Sequence, residues 1–305
     1  MSLPALRSHT GRVKAALLAA VTLLAPVASR AAAPAPYSLP WQLRPTAALS
    51  VVRSDTAFAL SQPVEGEQNL TDAFMLLTSY KVTPQLAPFV RLGVVHHNPA
   101  RGPSGTSFVN PALGATYAIP FNDSLRLALF LGFTLPVGMS GGNEPDAALA
   151  AATRSGVLAR SAMDNAMFAV NDFTVFPGMD LSYTAGGFTA QVEATVLQLT
   201  RVRGEAVQPD ASRTNFTSGL HLGYFVLPVM SIGGEVRYQR WLSTPASVTS
   251  PELRDNLTVA IGPRFHIKLK DGPTLRPGLA YAFALDAPMS KQKYSILQLD
   301  IPVAF

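Results

Sequence analysis

The sequence predicts an all-β fold, a transmembrane antiparallel up-and-down β-barrel of about 12 strands. Three observations carry that prediction. Apolar residues recur at every second position through most of the chain, the period of a strand with two unlike faces. The alternating runs are long: a tilted spanning strand needs about 9 to 11 residues, whereas strands of globular domains average about 5 or 6. Bulky side chains collect on one face of each run, and charge collects on the other.

Composition narrows the class. The 305 residues are 48% hydrophobic and only 14% charged, against about 25% charged in an ordinary soluble domain. A mean hydropathy of +0.22 is too low for a helical membrane bundle, and no internal segment approaches the roughly 20 apolar residues of a spanning helix. The 22 glycines and 25 prolines, with abundant Val, Thr, Tyr and Phe, are the vocabulary of strands and turns. Without cysteine there is no disulfide and no cysteine-linked lipid anchor. Part of the net charge of +5 belongs to the N-terminus, so it does not argue for a nucleic-acid partner.

At the N-terminus Arg7, Arg12 and Lys14 precede AALLAAVTLLAPVA and then a run of small residues, which reads as a cleaved secretory signal peptide over 1–33. A short periplasmic lead-in, 34–45, is expected next, and the barrel occupies 46–305. Period-2 segments place strands near 46–61, 73–82, 89–98, 107–119, 125–138 and 173–184. The second half follows with 188–203, 215–227, 231–242, 257–269, 274–286 and 293–305. Links alternate in length. Tight ones such as FNDS, GG and PVM are separated by longer polar ones such as QPVEGEQNLTD and by an extended loop over 140–172. Short turns on one rim and long loops on the other are the habit of outer-membrane barrels. Within the long loop, NEPDAALAAA reads as a helix start, and the loop either folds inward or caps the outer rim.

Parity assigns the faces. Near 257–269, Leu257, Val259, Ile261, Phe265 and Ile267 oppose Thr258, Arg264, His266 and Lys268. In a bilayer the large face meets lipid, where Arg or Lys at the midplane costs about 2 to 4 kcal/mol. The charged face then lines the lumen with Arg91, Arg126, Glu193, Arg201, His221, Glu235, Arg237, Arg264, His266, Lys268 and Arg276. One reading of that set is an anion-preferring pore. The other is a structural network in which Glu193, Glu235 and Arg237 pair across strands. Tyr117, Tyr183, Tyr224, Tyr238 and Tyr281 fall on the large faces as an aromatic girdle would.

The leader, the alternating strands and a terminal Phe305 preceded by apolar residues at every second position resemble the outer-membrane β-barrels of Gram-negative bacteria. The likeness covers the whole mature chain and is to the porin-like, uptake-channel type, with no motif that fixes a subgroup. It implies an outer-membrane location among lipid. It also implies that Leu299, Ile301, Val303 and Phe305 form the signal read by the barrel-assembly machinery, although Val303 stands where those barrels often carry an aromatic residue.

The function expected is passive diffusion of small polar or anionic solutes, with no cofactor. Two other classes compete: a structural or adhesion barrel with a shut lumen, and a lipid-acting hydrolase. For the hydrolase, His96, Asn98 and Ser107 share the lipid-facing parity near the long-loop rim, on adjacent strands. No phosphate loop, dinucleotide fingerprint or zinc spacing is present, and His221 and His266 are separated by an intervening strand and lack a third metal ligand.

Overall fold

A computed structural model describes residues 36–270 and 272–305. The predicted signal peptide, 1–33, lies outside the described residues. Strands β1 (Val51–Val64), β2 (Glu67–Ser79) and β3 (Leu86–Asn98) are followed by β4 (Gly105–Phe108) and β5 (Ala112–Pro120), two pieces that both pair with β3. Then come β6 (Leu125–Thr134), β7 (Asp172–Ala185), β8 (Phe188–Arg201), β9 (Ser212–Leu227), β10 (Met230–Trp241) and β11 (Asp255–Phe265). The short β12 (Ile267–Lys268) and β13 (Thr274–Leu275) form a rim hairpin, and β14 (Gly278–Ala284) and β15 (Ser295–Ala304) complete the wall. Each strand runs antiparallel to its neighbours, and β15 pairs with β1 from Val51↔Ala304 to Leu60↔Ser295. The sheet is therefore a closed barrel of 12 staves with no free edge.

The two faces obey parity. Phe58, Leu60, Phe74, Val94, Leu131, Leu181, Ile261 and Leu299 are exposed on the outside, while Ala57, Ala59, Ala73, Ala128, Ala260 and Ala282 are buried within. Small residues inside leave room for other chain to enter, and an apolar outer belt is what a bilayer demands. The tyrosines point outward as expected: Tyr117, Tyr183 and Tyr224 near the short-turn end, Tyr238 and Tyr281 near the long-loop end.

Three differences from the sequence reading, and the choice between the two placements open for the long loop, have local causes. The expected loop QPVEGEQNLTD is a hairpin, because β1 and β2 continue to a two-residue turn at Glu65 and Gly66, where φ of +80° suits glycine. The strand expected at 107–119 is broken at 109–111, and the break reverses its parity: Ser107 and Ala112 both face inward. The segment expected as a periplasmic lead-in, 34–45, is packed inside the barrel over its described part. The long loop folds inward as well, and its helix α1 (Ala147–Ala159) starts two residues after Pro145, where Asp146 accepts hydrogen bonds from the amides of Ala148 and Leu149.

Candidate functional site: a lumen with two inserts

The first insert is the segment before β1. Leu39, Trp41 and Leu43 are buried, and its backbone is held by side chains of the wall. The amide of Trp41 donates to Glu235 at 2.8 Å and that of Gln42 at 3.1 Å, while the amide of Arg44 donates to Glu193 at 2.7 Å. In return Arg53 and Arg264 donate to the carbonyl of Pro40 at 3.0 and 3.2 Å. Two glycines make the approach possible: a Cβ on Gly219 would fall on the Leu43 side chain, and one on Gly223 would fall on Ser38. Thus β9 carries a groove in its inner face at Gly219 and Gly223, which the first insert fills.

The second insert is the loop between β6 and β7. Helix α1 lies against β2, β3 and β4, with Thr153 donating to Ser107 at 3.0 Å, and a Cβ on Gly105 would strike the backbone of Ala148. After α1 the chain turns at Ser161 and Ala162, whose φ values of 53° and 55° are left-handed and uncommon for residues with a side chain. The short helix α2 (Asn165–Phe168) follows. At the base of the loop Asn110, freed by the break between β4 and β5, accepts from the amide of Gly138 at 2.9 Å and donates to the carbonyl of Ala169 at 2.8 Å.

A four-charge cluster holds the tip of this loop. Arg160, whose side chain is fully buried, donates to both oxygens of Asp55 at 2.8 and 2.5 Å and to Asp164 at 2.8 Å. Arg91 pairs with Asp164 as well. Burial pushes the Asp164 carboxyl up, but the guanidiniums of Arg91 and Arg160 outweigh it and hold it well below the usual carboxylate range. Burial likewise opposes the charge on Arg160, and Asp55 and Asp164 overcome that. Ser161 adds two ties, accepting on Oγ from Arg237 at 3.3 Å and on its carbonyl from Asn256 at 3.1 Å.

The loop tip divides the remaining space in two. On the long-loop side lies a vestibule of about 860 Å³, which Ala162, Asn165 and Phe168 line from one side. Below is an inner cavity of about 70 Å³ lined by Met163, Asp164, Ala166 and Met167 from the other side and by Arg44, Arg53, Leu77 and Phe89. Residues 162–168 are thus a partition whose alternate side chains face the two compartments.

The residues named from sequence fall into three groups. Arg91, Glu193, His221, Glu235, Arg237 and Arg264 point into the barrel among the inserts. Nearly all of these charges are matched: Arg237 with Glu235 at 2.6 Å, Arg264 and Arg53 with Asp300 at 2.5 and 2.8 Å, Arg44 with Glu193 at 2.7 Å. His221 meets the Trp41 ring edge-on with centroids 5.8 Å apart. Arg201 sits at the long-loop rim, donating to the carbonyls of Gln208 and Pro209 at 2.6 and 2.9 Å. Arg126, His266 and Arg276 lie at the short-turn rim, half-buried, and Lys268 is exposed on the β12–β13 hairpin. Burial lowers His266 to about 3, with Arg276 and Arg264 adding to the effect, so it contributes no charge near neutral pH.

On the last stave Leu299 and Ile301 are exposed outward and Val303 is partly so, while Phe305 is 70% exposed and donates its amide to the carbonyl of Ser50 at 3.1 Å. The hydrolase set does not form. His96 faces outward and bonds Thr106 at 2.8 Å, and Asn98 is exposed, but Ser107 lies on the inner face against Thr153, on the other side of the wall. Sequence reasoning missed Asp55, Arg160 and Asp164, since two of them come from the loop. It also missed the wall carboxylates' role as acceptors for the first insert.

Fold and lining together define a closed transmembrane-type β-barrel of 12 staves, with an apolar outer belt and a lumen occupied by its own chain. The outer-membrane channel of Pseudomonas putida F1 is similar in structure, with a TM-score of 0.54 at 12% identity over 87% of this chain and 98% of that one. The KdgM porin in complex with disordered oligogalacturonate aligns with a TM-score of 0.47 at 9% identity over 82% of this chain and 99% of that one. The NanC porin aligns at 0.47 and 9% over 83% and 98%. No protein-family profile and no curated protein matches the sequence.

Proposed function

We propose that this chain is an outer-membrane channel that passes small polar solutes by passive diffusion, with residues 162–168 as the barrier to flow. The observation that carries the reading is the partition itself. A vestibule and an inner cavity lie in line within one closed barrel, separated by a single short stretch of loop lined from both sides. Two consecutive left-handed residues at its start, Ser161 and Ala162, fit a segment shaped for a task rather than for local stability. The fold shared with a solved outer-membrane channel adds support.

Arg44, Arg53, Arg91, Arg160, Arg237 and Arg264 are largely balanced by their partners Asp55, Asp164, Glu193, Glu235 and Asp300, which favours a polar lumen over a strongly anion-selective one. Planar-bilayer recording tests the function. Wild type is expected to show small, steady conductance, and a variant with 147–168 replaced by a short Gly-Ser linker a conductance several times larger. Silence from both removes the channel reading and leaves a structural barrel with a shut lumen. Arg237→Gln and Arg264→Gln should shift ion selectivity only slightly.

We assign the barrel-assembly machinery as partner for Leu299, Ile301, Val303 and Phe305. The Phe305 ring is largely exposed, so Phe305→Ala, which keeps the amide bond to Ser50, should lower outer-membrane yield while leaving the thermal stability of assembled barrel unchanged. Equal yields would remove that role.

A further inference from the structure

We infer that the outer vestibule is a binding site for a neutral polyhydroxylated solute of the sugar class. The inference rests on the channel reading in so far as the site precedes the partition, and it names the solute that reading leaves open. The vestibule's volume of about 860 Å³ falls in the range of small-molecule sites. Its lining is unlike that of the rest of the lumen. Six carboxamides border it, Asn165, Asn171, Gln208, Gln239, Asn256 and Gln292, beside the rings of Phe168 and Trp241. Its charged side chains cancel: Arg154 and Arg213 against Asp210 and Asp255. Arg213 is already paired with Asp172, and Asp255 with Arg240 at 2.8 Å. The inner cavity, by contrast, is lined by Arg44, Arg53, Arg91, Asp55 and Asp164 and by a single carboxamide, Gln42.

The state of two of these amides decides the ligand's chemistry. Asn165 and Asn256 are 6% and 2% exposed. Their NH2 groups are committed, to Asn215 at 3.3 Å and to the carbonyl of Ser161 at 3.1 Å, while their Oδ1 atoms, themselves buried, have no partner among the described residues. A buried acceptor left unmatched is costly, and what relieves it is a donor. A polycarboxylate such as citrate brings almost only acceptors, and a polyamine such as putrescine brings only donors, so each meets just half of what the carboxamides of Asn171, Gln208, Gln239 and Gln292 offer. A hydroxylated solute brings donors that also accept, which suits carboxamides offering both, and the apolar face of one of its rings suits the half-buried ring of Trp241.

Equilibrium binding on detergent-purified mature protein tests this without any transport step. Maltotriose should bind saturably by calorimetry and change the fluorescence of Trp241 in a Trp41→Phe background, since Trp41 and Trp241 are the chain's two tryptophans. Asn256→Leu should weaken that binding at least tenfold, and Trp241→Leu serves if Asn256→Leu fails to give a heat-modifiable folded barrel. Citrate and putrescine should not bind. Absence of maltotriose binding to folded wild type overturns the proposal, as does binding of citrate or putrescine in its place. Liposome swelling separates the two readings: sugar binding without swelling keeps the vestibule site and removes the channel, while swelling without sugar binding does the reverse.

Discussion

The two inserts occupy the same lumen but are held by different physics. The segment before β1 contributes backbone amides, which fall on the carboxylates of Glu193 and Glu235, and it lies in a groove left by Gly219 and Gly223. Its fit depends chiefly on shape and on backbone groups that every chain carries, with one ion pair, Arg44 to Glu193, added at its end. The loop tip is held by a closed set of four charges, Asp55, Arg91, Arg160 and Asp164, in which each partner compensates the burial of the others. Shape complementarity degrades gradually as atoms are added or removed. A buried charge set fails abruptly, because loss of one member strands another in a medium that cannot solvate it. The insert that forms the partition is therefore the one whose docking is closer to two-state, and that is the behaviour a barrier to flow requires.

The largest expected effect follows directly. Asp164→Leu leaves Arg160 and Arg91 short of a carboxylate, and breaking such a pair costs about 3 to 5 kcal/mol, enough to undock a loop tip. Conductance should rise several-fold, and trypsin should cut after Arg160, which is inaccessible in wild type. Unchanged conductance with intact Arg160 would show that Asn110 and Ser161 suffice to hold the loop.

A smaller effect is expected at the first insert. Gly219→Val places methyl groups where Leu43 now lies, and overpacking of this kind costs about 1 to 3 kcal/mol. The segment should shift rather than leave, because Glu193 and Glu235 still receive its amides. Acrylamide quenching of Trp41 in a Trp241→Phe background should increase modestly, with conductance nearly constant. Quenching equal to that of free tryptophan would mean that the groove alone holds the segment, and the contrast between the inserts would be lost.

How much of this was legible in the sequence divides along the same line. The wall was readable because each stave repeats one constraint, lipid outside and lumen inside, so alternation such as Leu297, Leu299, Ile301 reports it directly. Parity fails where a single bulge intervenes: Ser107 was placed on the wrong face because nothing in Val109, Asn110 and Pro111 announces which residue is skipped. The inserts were harder still. A segment that lies on an inner wall shows no period of its own, and Leu39, Trp41 and Leu43 look like the start of a strand or an ordinary lead-in. The clue was indirect. An inward face with glycine at both 219 and 223 leaves space that Leu43 and Ser38 of the chain itself fill. For the loop, Arg160 and Asp164 are four residues apart with nothing to mark Asp55 as their partner more than 100 positions away.

The least disruptive test is pH, and its sign discriminates between the inserts' modes of attachment. Asp164 is held below the ordinary carboxylate value of about 3.9, since Arg91 and Arg160 outweigh the effect of its burial. A group depressed in this way contributes stability that is fully present above its unfolded value and is lost only as pH falls through the lower, folded one. The partition should therefore stay docked from pH 8 down to about 4, with conductance flat across that window, and open only under more acid conditions. The Asp164→Leu variant lacks the titrating group and should be open throughout. If wild-type conductance instead rose between pH 7 and 5, a group other than this carboxylate would be controlling the loop.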